Sequence, residues 1–184
     1  MLTTLEVVKA QLGLDTADTS MNGEINRIIK SVSAAIENYC MREFAEKQHT
    51  DRFTANGRLL LYMPQWPIVS IQEIKYGDSI LDPEDYEIFK DVINKINGTW
   101  DSPTEVTYTA GYKLPGDQER NLPYDIEDAA VLYATTRIRA IANTGIKSEQ
   151  VDVLRIQYED PYSGMAAAPS AVMALLNPYR RLIV

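Results

Sequence analysis

The pattern of apolar and polar positions between Glu24 and Phe44 predicts a long amphipathic helix. Apolar side chains recur there at intervals of three and four residues, which places them on one stripe of a helix. The residues opposite this stripe are polar. Because so regular a stripe must be covered, the rest of the chain is expected to pack on it. The stripe consists of Ile25, Ile28, Ile29, Val32, Ile36, Tyr39 and Cys40.

A shorter helix is predicted before the long one. Thr3-Thr4-Leu5-Glu6 matches a capping box with Thr3 as N-cap, and Gly13 is well placed to end the helix. The polar connection that follows contains three candidate N-caps for the long helix. The two helices are expected to form a helical hairpin. The candidate caps are Asp18, Thr19 and Ser20.

After Phe44 the period of the apolar positions changes from 3.6 to 2, which predicts β-strands. Proline and glycine residues between the strands predict tight turns, so the strands are expected to pair as antiparallel hairpins. They form a predicted β-subdomain at roughly residues 48–110. The predicted strands are Leu59–Tyr62, Val69–Tyr76, Tyr86–Phe89 and Thr104–Thr109.

A second long helix is predicted to open at Pro123 and to end at Gly145. Its run Ala129–Ala134 is apolar on more than one side. Such a helix lies either deep in a core or between its own core and a neighbouring subunit. Gln150–Tyr158 is a further possible strand.

Residues 160–184 are predicted to form a C-terminal arm. Asp160–Pro169 has no period, Ser170 is a candidate cap for a short helix at Ala171–Leu176, and Asn177-Pro178 ends that helix. The helix is expected either to fold back on its own core or to dock on a partner or a neighbouring subunit. We favour docking, because the chain closes with a basic, aromatic and apolar segment.

Together these elements predict an α+β fold. Two long helices and the short helices form a helical body, into which the antiparallel β-hairpin subdomain is inserted. The main domain comprises residues 1–159 and the arm residues 160–184. The chain has 184 residues and a net charge of −8, which argues against a protein that neutralises DNA phosphates. An acidic wall past which DNA slides is compatible with this charge.

No catalytic or metal centre is predicted. With one cysteine and one histidine, Cys40 and His49, the chain cannot complete a zinc site. Cys40 lies on the apolar stripe, where a thiol is usually inert. The carboxylates between Asp82 and Asp91 do not match a calcium loop and indicate a solvated edge. We therefore expect no cofactor and no enzymatic activity.

The composition also indicates where the protein works. A single cysteine suits a reducing compartment. The longest apolar runs have six residues, far fewer than the roughly 20 that a membrane span needs. We therefore expect a soluble, cytoplasmic protein without a signal peptide.

Trp66 stands between Pro64 and Pro67 in a predicted turn. Its ring either covers the end of the sheet or anchors an interface. The 11 tyrosines of the chain point towards interfaces as well, because tyrosine combines apolar area with a polar tip.

The order of these elements resembles the head–tail connector (adaptor, or head-completion) proteins of tailed bacteriophages and prophages. No single motif is specific, and the resemblance rests on their succession over most of the chain. The motifs are Leu12-Gly13-Leu14-Asp15, Ile36-Glu37-Asn38-Tyr39-Cys40-Met41-Arg42-Glu43-Phe44, Pro67-Ile68-Val69-Ser70-Ile71, Val106-Thr107-Tyr108-Thr109-Ala110-Gly111-Tyr112, Leu122-Pro123 and Leu176-Asn177-Pro178-Tyr179-Arg180-Arg181.

The resemblance implies a ring, usually of twelve subunits, that extends the portal channel and joins the DNA-filled head to the tail. Its partners would be copies of itself, the portal protein and a tail-side completion protein. DNA would pass through without sequence-specific binding, and no membrane would be involved. The protein would belong to the virion neck, and to the host cytoplasm during assembly. In this pattern Phe44 closes the core and Arg42 suits the helix C-terminus.

We expect the interface anchors to be Tyr179, Arg180, Arg181, Leu182 and Trp66, since Tyr, Trp and Arg dominate interface hot spots. Other interpretations remain open. The protein could be another neck or tail-completion protein of the same particle. It could be a small hydrolase or ligand-binding domain that uses Cys40, His49 and the acidic hairpin. It could also be a DNA-binding regulator built on the N-terminal helical hairpin, although the charge disfavours this.

Overall fold

The computed structural model describes residues 1–55, 57–142, 148–151, 154–157 and 168–181. The chain divides into two compact units: a helical unit, Met1–Met41 with Leu114–Val184, and a β unit, Arg42–Lys113. The bounds of roughly 48–110 expected for the β-subdomain lie inside the β unit. The mixture of helices and antiparallel sheets confirms the predicted α+β class.

The helical unit contains α1 (Leu5–Leu12), α2 (Asn22–Cys40), α3 (Tyr124–Ala142) and α4 (Ser170–Leu176). A 3-10 turn, Asn177–Tyr179, follows α4. Between α3 and α4 lies an antiparallel hairpin of β8 (Ser148–Val151) and β9 (Leu154–Gln157), and the predicted strand Gln150–Tyr158 overlaps this hairpin.

The helix boundaries correct several predictions. Thr4 caps α1 instead of Thr3, because Thr3 is buried and the Thr4 hydroxyl accepts the N–H of Val7. Gly13 ends α1 in the left-handed conformation, as predicted. The N-cap of α2 is Met21, without a side-chain cap. None of the three candidate caps serves α2, and the carboxylate of Asp18 instead accepts the N–H of Ser20 in the preceding turn.

α2 also ends earlier than predicted. Met41 adopts a left-handed conformation, φ 54°, and its N–H bonds back to the carbonyl groups of the last helical turn. The chain therefore leaves the helix before Arg42 and Phe44, both of which belong to the β unit. The expectation that Arg42 lies at a helix C-terminus is wrong. Six of the seven stripe residues are buried, and Tyr39 is half-buried.

α3 is buried on several sides, as its sequence predicts, and it packs against α1, α2 and α4. The second apolar side is thus covered within the unit, by α4, whose Val172 and Leu176 are fully buried. For residues 170–176 the structure therefore supports folding back on the core instead of a projecting helix. Ser170 is the first helical residue and not the cap. The predicted end of α3 at Gly145 lies outside the described residues.

The described residues of the β unit form seven strands in two antiparallel sheets. One sheet has the order β1-β7-β3-β4 and the other β2-β6-β5. The four predicted strands are present within about one residue of their bounds, whereas β1, β4 and β6 were not predicted. The strands are β1 (Lys47–Phe53), β2 (Leu60–Tyr62), β3 (Ile68–Tyr76), β4 (Ser79–Ile80), β5 (Tyr86–Phe89), β6 (Val92–Lys95) and β7 (Thr104–Ala110), with a 3-10 turn at Pro83–Asp85.

The strands are antiparallel as expected, but no two successive strands of the four predicted ones pair with each other. The hairpins of the described β unit are β3–β4 and β5–β6, and each contains a strand that was not predicted. β2 pairs with β6, and β3 pairs with the distant β7. One face of each sheet contributes to a common core. Burial of apolar side chains in this core, and not closeness along the chain, determines which strands pair. This core contains Leu61, Met63, Ile74, Ile93, Trp100, Val106, Tyr108 and Ala110.

The two ends of the β unit are joined by backbone hydrogen bonds. The N–H of Tyr112 donates to the carbonyl of Phe44 at 2.7 Å, and the N–H of Glu46 donates to the carbonyl of Tyr112 at 2.8 Å. Gly111 makes this approach possible. Its φ is +115°, and a Cβ there would lie 2.6 Å from the carbonyl oxygen of Ala45.

Candidate interaction surfaces

The residues after α4 contact the C-terminal end of α2. Tyr39 donates its hydroxyl to Asn177 Oδ1 at 2.8 Å, and the N–H of Arg181 donates to the carbonyl of Cys40 at 2.8 Å. The guanidinium of Arg180 lies 5.1 Å from the centroid of the Tyr39 ring. The Arg181 N–H satisfies a carbonyl that the end of α2 leaves without a helical partner, and the cations suit the negative end of the helix dipole.

Three of the predicted anchors are therefore neighbours on the helical unit. The side chains of Arg180 and Arg181 are exposed, and Tyr179 is half-buried, with its hydroxyl 3.4 Å from Asp125 Oδ2 in the first turn of α3. Leu182 lies outside the described residues. The fifth anchor, Trp66, belongs to the β unit.

Trp66 is held by a buried arginine. The guanidinium of Arg42, which is 3% exposed, lies 3.7 Å from the centroid of the Trp66 ring and donates to the Trp66 carbonyl. Two more aromatic rings surround it, Phe44 at 4.9 Å and Tyr112 at 5.8 Å. Trp66 is half-buried. The Trp66 ring therefore contacts a residue of its own β unit, and both expectations for it, covering the end of the sheet and anchoring an interface, stay predictions.

The outer face of the four-stranded sheet is polar. Thr50 and Thr107 share a hydrogen bond of 3.1 Å across β1 and β7. Glu105 accepts from Arg52 at 2.5 Å and from Lys75 at 3.1 Å. These hydrogen bonds to the Arg52 and Lys75 side chains lower the pKa of Glu105. A face paired in this way is typical of a surface in contact with water.

The outer face of the three-stranded sheet differs. Tyr62, Val92 and Phe89 are directly opposite one another on β2, β6 and β5, and directly opposite residues of an antiparallel sheet share a face. Tyr62 is 53% exposed and Phe89 57% exposed. Leu60, 37% exposed, lies on the same face. We call Leu60, Tyr62, Phe89 and Val92 the apolar sheet face.

Sequence analysis did not find the apolar sheet face. The signal is present in Leu60-Leu61-Tyr62, which is apolar on both sides of a strand, whereas β7 of the other sheet alternates between buried and half-buried positions. Recognising the apolar sheet face requires the pairing register of β2, β6 and β5, because β6 lies between the other two and brings Tyr62 and Phe89 onto one face. Strand β6 was not predicted.

The chemical candidates occupy packing positions. Cys40 is fully buried in the helical unit, and His49 lies in the β unit, on β1. The His49 ring is 5.6 Å from that of Tyr108, and burial lowers the pKa of His49. Tyr108 donates its hydroxyl to Asp51 Oδ2 at 2.7 Å and accepts the N–H of Gln65. These groups satisfy one another inside the β unit.

The described residues contain no group of three or more His, Cys, Asp or Glu side chains placed to hold a metal ion. Within the same residues, no helix combines the length and the apolar character that crossing a membrane requires.

The described residues define a small α+β protein of two compact units. A family model described as "Head completion protein" matches residues 1–182. The chain therefore belongs to the head completion protein family, which confirms the resemblance found in the sequence. A comparison with curated proteins gave no match.

Solved structures share the fold. A chain in the neck of an empty gene transfer agent particle, computed with C6 symmetry, aligns with a TM-score of 0.59 at 16% identity, covering 97% of this chain and 88% of the other. A chain of the native gene transfer agent virion aligns with the same score and identity, over 97% and 89%. A chain of the native neck, computed with C12 symmetry, aligns with a TM-score of 0.56 at 16% identity, over 98% and 90%. These likenesses establish the fold.

Proposed function

We propose that the protein is a structural subunit of the virion neck, where copies of it form a ring that extends the portal channel and joins the DNA-filled head to the tail. The observation that carries this proposal is the match of the head completion family over residues 1–182. The neck structures that share the fold were computed with C6 and C12 symmetry, which is what a cyclic assembly would give.

The surfaces fit a subunit that works through contacts and not through catalysis. The apolar sheet face leaves two large side chains, Tyr62 and Phe89, more than half exposed, and such surfaces commonly mark protein–protein contacts. The exposed Arg180 and Arg181 add a basic surface to a chain of net charge −8. Copies of the chain, the portal protein and a tail-side completion protein are the proposed partners, and DNA passes through the ring without sequence-specific binding.

Mass measurement of the purified protein by sedimentation over a concentration series tests the ring. We expect rings with the twelvefold or sixfold symmetry of the neck structures, either directly or growing from monomer as concentration rises. A tight dimer at every concentration would overturn the ring, because a closed twofold contact leaves no surface for further copies. If the protein stays monomeric, the same measurement is made after adding it to DNA-filled heads. Failure to bind heads then also counts against the proposal.

The alternative is another neck or tail-completion protein of the same particle, which would also form rings. Chemical cross-linking in assembled particles separates the two. A connector that extends the portal channel must cross-link to the portal protein, whereas a protein placed further down would cross-link to tail proteins alone.

A further inference from the structure

The first turns of α2 and the last turns of α3 enclose an apolar cavity of about 160 Å³. A cavity of this size is large enough for a branched aliphatic side chain. Met21, at its rim, is 41% exposed, so the cavity can be reached from solvent. Among the described residues that line it, Glu24 is the one acidic residue. The lining residues are Met21, Glu24, Ile25, Ile28, Ile138 and Ile141.

α2 and α3 run antiparallel, because the C-terminal part of α3 lies beside the N-terminal part of α2. Arg137 Nη1 donates to Ser31 Oγ at 3.0 Å, and Ile138 and Ile141 meet Ile25 and Ile28 at the cavity. The end of α2 that binds Arg181 is therefore the end remote from the cavity.

The chain continues beyond Arg181 with three apolar residues, Leu182, Ile183 and Val184, preceded by two arginines. Cys40, which binds the Arg181 N–H, is 12 residues from Ile28, or about 18 Å along the helix. Three extended residues span about 10 Å. Residues 182–184 therefore cannot reach the cavity of their own chain.

We propose that this cavity binds Leu182–Val184 of a second copy of the chain. The occupant matches the cavity in chemistry, since aliphatic side chains meet a wall of isoleucines and the preceding arginines meet Glu24. The proposal rests on the ring function and deepens it. A donor segment at one end of the helix pair and an acceptor at the other make a head-to-tail contact, which leaves each copy free to bind two neighbours and so permits closure into a ring.

A binding experiment tests the contact directly. The probe is a fluorescent peptide of residues 179–184, Tyr-Arg-Arg-Leu-Ile-Val, added to protein that lacks residues 182–184. We expect saturable binding that Met21→Lys weakens about tenfold or more, because the lysine replaces apolar wall and repels the arginines. Val7→Lys is the matched control. Val7 is 40% exposed on α1 and does not line the cavity, so binding should not change.

Cross-linking in the complete chain identifies the donor copy. Glu24→Cys and Leu182→Cys are prepared as separate variants and mixed under mild oxidation, with native Cys40 buried in both. We expect a disulfide-linked heterodimer, and none when Val7→Cys replaces Glu24→Cys. No saturable peptide binding, or equal binding to the Met21→Lys variant, overturns the proposal. Rings that persist without residues 182–184 overturn it as well, while the ring function itself then stands.

Discussion

The guanidinium of Arg42 lies 3.7 Å from the centroid of the Trp66 ring and also bonds to the Trp66 carbonyl. The residues are 24 positions apart, so the contact fixes the start of the β unit against the segment between β2 and β3. A planar cation stacked on an indole inside a buried site contributes more than an exposed pair would.

Arg42→Lys is expected to lower the free energy of unfolding by about 1–2 kcal/mol, because lysine keeps the charge but loses the planar stack. Urea unfolding followed by far-UV circular dichroism measures the loss. Arg52→Lys is the matched control, since the Arg52 side chain is 84% exposed and should change stability by less than about 0.5 kcal/mol. Equal effects of the two substitutions would show that the stack contributes nothing.

Leu176→Ala is expected to cost about 2–4 kcal/mol, because Leu176 of α4 is fully buried in the helical unit. Ala174→Ser, at an exposed position of the same helix, should be nearly neutral. Thermal unfolding compares them. If Leu176→Ala does not change stability, the result would favour the prediction that the C-terminal segment docks on a partner. On that prediction, removing the segment leaves the fold intact.

Gly111→Ala is expected to cost more than about 3 kcal/mol, because its Cβ would meet the backbone of Ala45 at 2.6 Å. Gly98→Ala separates this clash from backbone strain. Gly98 also has a positive φ, +92°, but a Cβ there meets nothing within 4 Å. That control should lose only about 1–2 kcal/mol. Similar losses in the two variants, measured by urea unfolding, would argue against a close approach at Gly111.

His49 is expected to make stability depend on pH. Burial lowers its pKa below the ordinary 6.5, so the unfolded chain takes up a proton first as the pH falls. The contribution of neutral His49 is complete above pH 6.5 and declines below it. The free energy of unfolding should therefore decrease more between about pH 7.5 and about pH 5.5 in the native chain than in the His49→Gln variant. An identical fall in both proteins would rule out this role.

The long helices could be predicted because one apolar stripe determines them. Their ends could not always be predicted. Met41 ends α2 in a left-handed conformation that is rare for residues other than glycine. A methionine side chain does not predict this conformation. Strand β1 was missed because Lys47–Phe53 is polar at nearly every position, and its partner β7 lies some fifty residues further on. The contact of Arg42 with Trp66 could not be predicted either, because the two residues are 24 positions apart and only the fold brings them together.

The anchors were predicted from residue type, and residue type does not tell which side chains remain exposed. Tyr179 contacts Asp125 of α3, and Arg180 contacts Tyr39 of α2. The cavity between these two helices cannot be predicted from the spacing of apolar residues in the sequence. The apolar sheet face needed the register of β6, which supplies the row between Tyr62 and Phe89.

The chain enters the β unit at Arg42 and leaves it at Lys113, and the bonds between Phe44, Glu46 and Tyr112 hold these two crossing points side by side. A segment whose ends meet can be gained, lost or exchanged without separating the helices that it interrupts. The β unit is therefore a place where the chain can accept insertion or exchange while α2 and α3 keep their own packing.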